Sequence, residues 1–257
     1  MLDPGRGRTK TGELWAYARD DRHWGGDDPP MVAYVYSADR KVERAEAHLG
    51  DFAGILQVDG YGGYAALARR RQQISLAFCW AHVRRKFYEL ADNSPVATEV
   101  LRRVALLYAI EEEARGLSAE QRRTVRNDRS RIMVDDLRQY LEARNRQVSA
   151  KSKLGEAISY ALTRWDRLSR FLDDGRIDLD SNTVERSIRP LALNRKNALF
   201  AGSDEGGDNW AVIATLIENC KLSGINPHIW LTDTLTSLAN GHPANGVAEL
   251  MPWTAVG

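Results

Sequence analysis

Apolar and polar positions set the first elements. The segment Glu13–Arg19, rich in aromatic and small apolar residues, predicts a strand, and Met31–Tyr36 predicts a second. The polar stretch between them carries Gly25, Gly26, Pro29 and Pro30, so the pair reads as a hairpin with a long loop. Helical periodicity follows over 39–49. Gly54–Val58 is a short apolar run closed by Asp59-Gly60, as in a buried strand. The pattern then gives a helix over 62–72, a buried strand over 74–79 and a helix over 80–92. Strands alternating with helices after an initial hairpin predict an α/β fold, a mixed sheet with helices packed against it.

From about 97 to 172 the strand signal disappears. Glu, Arg, Leu and Ala dominate, predicting several helices broken near 116–118 and 149–153. Lys and Arg outnumber Asp and Glu there, so this helical insertion is mildly basic. Tyr140, Tyr160, Trp165 and Phe171 read as packing residues, and Asp173-Asp174-Gly175 as a solvated turn. A helix is expected over 182–190, stopped by Pro190. A loop over 202–209 and helices over 209–223 and 227–239 come next, then a looped tail. The expected organisation is a first core part (1–96), the helical insertion (97–175), a second core part (176–240) and a tail (241–257).

Composition narrows the class. A chain of 257 residues, 43% hydrophobic and 28% charged, is an ordinary globular sequence. Its net charge of +1 provides no global field for nucleic acid, so any such contact must come from local clusters such as Arg69–Arg71, Arg84–Lys86 and Arg195-Lys196. Cys79 and Cys220 do not make a disulfide framework and fit a reducing cytoplasm. No apolar run reaches about 18 residues, so no membrane partner is expected.

The chemistry concentrates at 182–190. Helical spacing places Asn182, Glu185, Arg186 and Arg189 on one broad face, an acid among cations beside an amide. That set suits a phosphate-rich substrate with a metal ion. The same Asn182/Glu185 spacing is also a capping-box pattern. Asp59, at a strand end beside the glycines of Gly60-Tyr-Gly-Gly63, is placed as a hard oxygen ligand for Mg²⁺ or Mn²⁺, or as an ordinary turn aspartate. Cys79 and His82 have the spacing of a zinc half-site, but no second pair completes one. His82, followed by Arg84 and Arg85, reads better as a phosphate contact or as packing near the site. A nucleotide-hydrolase phosphate loop and a serine nucleophile elbow are both absent from the sequence.

Together these residues carry a resemblance. Val58-Asp-Gly-Tyr-Gly-Gly-Tyr64, Cys79-Trp-Ala-His-Val-Arg-Arg-Lys-Phe87, Asn182-Thr-Val-Glu-Arg-Ser-Ile-Arg-Pro190, Arg195-Lys-Asn197 with Gly202-Ser203, and Glu249-Leu-Met-Pro-Trp253 resemble, in order, transposases of the insertion sequence 66 family. The resemblance implies a ribonuclease-H-like core that cleaves and transfers DNA strands with two aspartates, a glutamate and Mg²⁺ or Mn²⁺. Asp59 matches the second aspartate and Glu185 the glutamate. Asn182, His82, Arg84, Arg85, Arg186, Arg189, Arg195 and Lys196 would contact DNA, both the element's terminal repeats and its target. A homo-oligomer or a full-length transposase would be the protein partner.

The family's first aspartate lies on a strand upstream of the segment resembling Leu2–Gly12, and Asp3 does not match it. The resemblance therefore implies a C-terminal catalytic portion lacking the first core strand, expected to be inactive, poorly stable or both in isolation. The alternatives are a non-catalytic fragment that binds DNA or transposase as an inhibitor, through the basic helical insertion, and a remnant of a decayed element.

Overall fold

A computed structural model describes residues 10–194 and 201–255. It is mixed α/β and mostly helical, and it divides into two compact units: residues 1–20, 28–44 and 182–257, and residues 21–27 and 45–181.

In the first unit the predicted hairpin forms. Strands β1 (Glu13–Arg19) and β2 (Met31–Ser37) pair antiparallel, with Glu13 opposite Ser37 and Arg19 opposite Met31. Val32 and Tyr34 on β2 are buried against Ala211 and Ala214 of a long helix, with Leu14, Ala16, Leu191 and Trp210 around them. That helix also supplies the polar groups the outer edge of β2 lacks. The Val32 N–H donates to Asn219 Oδ1 (3.1 Å) and Asn219 Nδ2 donates back to the Val32 carbonyl (2.7 Å), while the Tyr34 N–H donates to Thr215 Oγ1 (2.9 Å). Side chains thus stand where a neighbouring strand would.

The second unit is built on a β-α-β step. After α1 (Val42–Leu49), β3 (Gly54–Val58) and β4 (Ile74–Phe78) pair in parallel through the crossover helix α2 (Gly62–Arg70). Helix α3 (Trp80–Tyr88) leaves β4 directly. Its fully buried Trp80 donates its indole N–H to the Leu168 carbonyl and meets the Trp165 ring edge to face, with centroids 5.6 Å apart. The helical run follows: α4 (Pro95–Glu113), α5 (Ala119–Val125), a π-turn over Arg126–Ser130, α6 (Arg131–Asn145), α7 (Lys153–Leu162) and α8 (Trp165–Leu168). The expected breaks appear at these junctions, where Ser118 and Ser152 cap α5 and α7.

Several expectations are corrected. The strands do not make one mixed sheet; among the described residues they form two separate two-stranded ladders, because no strand lies on the second edge of β1 or of β3. Helix α9 (Asn182–Asn194) runs through Pro190 instead of stopping there. The loop expected over 202–209 is helical from its third residue, since α10 spans Asp204–Leu222, capped by Ser203 Oγ accepting the Gly206 N–H at 3.0 Å. Its two glycines serve close approach: a Cβ on Gly206 would lie 2.0 Å from the Ala201 carbonyl, and one on Gly207 2.7 Å from the Tyr36 ring. Asp174 is no solvated acid, being half-buried and held by Arg176, whose hydrogen bond keeps its carboxyl below the usual range. Helix α11 (Pro227–Ala239) follows, and the looped tail contains 3₁₀ turns over Ala244–Leu250 and Pro252–Ala255. No helix among the described residues is long and apolar enough to cross a membrane.

Candidate functional site: an aspartate at a strand end and an acidic-basic helix face

In the second unit, Val58 and Phe78 are the last residues paired in the parallel ladder, so Asp59 and Cys79 leave it side by side at its C-terminal end. Ligand sites of open α/β sheets lie outside that end. Asp59 is exposed and forms no ion pair among the described residues. Its Oδ1 accepts the Tyr61 N–H at 3.0 Å, a local turn that fixes the carboxylate and leaves Oδ2 available. Gly60 makes the turn with a φ of 92°, which only glycine adopts readily.

Cys79 is buried. Its sulfur accepts the Ser181 N–H at 3.2 Å, and burial pushes its thiol above the ordinary value. Its Sγ and a ring nitrogen of His82 lie within 4.8 Å of each other. His82, Arg84 and Arg85 sit on α3. Arg84 and Arg85 are exposed, and Arg84 stacks over Tyr88 at 5.7 Å.

Two residues that no motif marked, Tyr160 and Arg164, also lie beside Asp59-Gly60, with Lys86 of the Arg84–Lys86 cluster next to them. The Tyr160 hydroxyl donates to the Asp59 carbonyl at 3.4 Å. Arg164 and Lys86 lie over the Tyr160 ring, 4.0 and 4.6 Å from its centroid. Tyr160 is therefore more than the packing residue expected, whereas Trp165 and Phe171 are buried as expected. For Tyr160 and Arg164 the sequence signal was a tyrosine and an arginine four apart, a helical neighbour spacing.

In the first unit, α9 presents Asn182, Glu185, Arg186 and Arg189, all four exposed. The opposite side carries buried Ser187, whose carbonyl accepts the Tyr34 hydroxyl at 2.7 Å, tying the helix to β2. Arg195 and Lys196 lie outside the described residues.

Known proteins resemble this chain over nearly its whole length. Residues 1–209 match the Transposase IS66 family and residues 215–253 the IS66 C-terminal element. Three relatives come from Sinorhizobium fredii (strain NBRC 101917 / NGR234). Uncharacterized protein y4qI is 49% identical over 98% of this chain and 48% of its own length. Uncharacterized protein y4jD is 46% identical over 98% of this chain and 51% of its own, and uncharacterized protein y4hP 41% identical over 96% and 48%. The chain thus spans about half the length of the curated relatives it matches. No solved structure matches it. On the strength of a family match that takes in both Asp59 and the α9 face, the chain belongs to the Transposase IS66 family.

Proposed function

We propose that this chain is the catalytic portion of an Asp-Asp-Glu type DNA transposase with a ribonuclease-H-like core, cleaving and transferring DNA strands. The observation that carries the reading is Asp59: an exposed carboxylate without an ion pair, fixed by a turn at the C-terminal end of a parallel ladder. A structural aspartate would be expected to hold a partner; a ligand for a hard cation keeps an oxygen available. Its donor set fits Mg²⁺ or Mn²⁺, and Glu185 is the second carboxylate. A divalent ion there would supply charge stabilisation for the attacking and leaving oxygens of a phosphodiester.

The chain's own residues do the remainder. Asp59 and Glu185 offer oxygen donors from a strand end and a helix face. Arg186 and Arg189, with Arg84, Arg85, His82, Asn182, Arg195 and Lys196, neutralise and position the DNA backbone of terminal repeats and target. Such contacts give salt-dependent affinity and little sequence information.

Calorimetric titration with Mn²⁺ tests the reading. Asp59→Asn and Glu185→Gln should each weaken binding at least tenfold, Asp59→Asn with the melting temperature preserved. Unchanged Mn²⁺ binding in both variants would refute it.

Self-association is supported by α11. Its inward positions include Thr234 and Ser237, while Ile229, Leu231, Leu235 and Leu238 are 41–57% exposed. Four half-exposed aliphatic side chains amount to roughly 300–400 Å² of apolar surface, the size at which patches mark contact sites. Leu231, Leu235 and Leu238 follow the 4–3 spacing of a helix–helix seam, and Asp233 is the helix's one formal charge. A second copy can therefore pack on it about a two-fold axis with little charge conflict. Sedimentation should give a dimer that Leu235→Glu converts to monomer; a monomeric wild type at tens of micromolar would refute this.

A further inference from the structure

The helical run is basic in sequence, yet much of that charge is matched internally. Arg102 and Arg103 hold Glu99, Arg129 holds Glu113, Arg131 holds Asp173 and Arg138 holds Glu142. Cations committed in this way contribute little to a DNA footprint. Arg164 and Lys86 differ, since neither has a carboxylate partner among the described residues. The Arg164 guanidinium lies 4.0 Å from the centroid of the Tyr160 ring and donates through Nη1 to the Tyr160 carbonyl (3.3 Å) and to Thr163 Oγ1 (3.2 Å). The Lys86 ammonium lies 4.6 Å from the same centroid.

This group is built against the strand end that carries Asp59. The Tyr160 hydroxyl donates to the Asp59 carbonyl at 3.4 Å. A Cβ on Gly60 would stand 3.2 Å from that hydroxyl and 3.5 Å from Arg164 Nε. Burial raises the Tyr160 pKa, with Arg164 opposing and Asp59 reinforcing, so the ring stays neutral near pH 7. Two cations on one aromatic ring, beside an exposed carboxylate that they do not pair with, leave one positive charge in excess. That balance suits one phosphodiester. Stacking fixes the guanidinium plane, which favours its forked binding of phosphate oxygens.

We propose that Tyr160, Arg164 and Lys86 form a clamp for a DNA phosphodiester beside Asp59, so that the helical run contributes directly to the DNA site. The clamp rests on the reading of Asp59 as a metal ligand in a DNA-processing site. Its role is positioning: it holds the backbone next to the carboxylate and exchanges no proton or bond with it.

The test is fluorescence anisotropy of a labelled DNA duplex with the full 257-residue chain across a salt series, first in EDTA. Each phosphate contact contributes about 0.9 to the slope of log affinity against log salt. Arg164→Ala and Lys86→Ala should each lower that slope by about one and weaken low-salt binding several-fold, while Arg164→Lys keeps most of the slope. Arg138→Ala, which removes a cation already paired with Glu142, serves as the control and should match wild type. Lys86 is exposed, so its variant reports on the clamp even if Arg164→Ala impairs folding. Wild-type affinity and slope in both alanine variants would overturn the proposal. Repeating the series in Mn²⁺ separates it from the reading of Asp59, because Asp59→Asn should lose only the metal-dependent gain in affinity. Retention of that gain alongside weakened alanine variants would sustain the clamp and overturn the metal role.

Discussion

Removal of the Glu111 carboxylate should destabilise the second unit far more than an ordinary surface substitution. Arg126 is fully buried, and its guanidinium meets Glu111 in a forked pair, Nε to Oε1 at 2.8 Å and Nη2 to Oε2 at 2.6 Å. Nη1 donates to the carbonyls of Phe171 (2.9 Å) and Asp174 (3.2 Å), joining α4, the π-turn and the chain after α8. Arg122, also buried, reaches Glu111 at 3.4 Å and Asp178 at 2.9 Å. Glu111→Ala leaves one buried guanidinium with only carbonyl partners and the other with one carboxylate. Breaking a buried pair from one side costs about 3–5 kcal/mol. At about 3 °C per kcal/mol for a domain of this size, the melting temperature should fall by roughly 10–15 °C. The double variant Glu111→Leu/Arg126→Met should recover most of that loss, because the uncompensated charge is gone. Calorimetry of wild type, Glu111→Leu, Arg126→Met and the double completes a cycle beside Glu111→Ala. A fall below about 3 °C for Glu111→Ala, or a double variant no better than the singles, would refute the reasoning.

Other consequences follow from single contacts. Asn219→Ala removes both partners of Val32 on the buried edge of β2 and should cost about 2–4 kcal/mol, with faster hydrogen exchange at Val32, readable by mass spectrometry. Gly207→Ala drives a methyl into the Tyr36 ring and should cost about 1–3 kcal/mol in urea unfolding. Arg102 and Arg103 lower the Glu99 carboxyl from 4.5 to about 2. A depressed folded-state pKa means that this stabilisation is present above about pH 4.5 and is lost as pH falls toward 2; Glu99→Gln should flatten the acid limb of a melting-temperature profile in that window.

The parts of the fold visible in the sequence were those set by local pattern. The β1–β2 hairpin announced itself through alternation and Gly/Pro in the turn, and β3 and β4 through short apolar runs between turn residues. The breaks in the helical run coincide with the caps Ser118 and Ser152. Tertiary contacts decided the rest. Pro190 ordinarily ends a helix, yet α9 continues to Asn194, with Leu191 packed against the β1–β2 core. The glycines at 206 and 207 suggested a loop; their real constraint is the Ala201 carbonyl and the Tyr36 ring, one of them 171 positions away in sequence (207 − 36). The division of the strands into two ladders is a pairing property that periodicity does not encode. At the site, Asp59 and the α9 face stood out because a strand end and helical spacing are sequence patterns. Lys86, Tyr160 and Arg164 meet only through folding, across more than 70 residues, so no motif could assemble them.

The central claim is that Asp59 and Glu185 are ligands of a divalent ion. Iron-mediated backbone cleavage tests it most directly: Fe²⁺ replaces Mg²⁺, and ascorbate with peroxide generates radicals that cut the chain beside the bound ion. The account predicts cuts next to residues 59 and 185, suppressed by excess Mg²⁺ and absent in Asp59→Asn. Cleavage confined to other acidic stretches, with both positions intact, would contradict it.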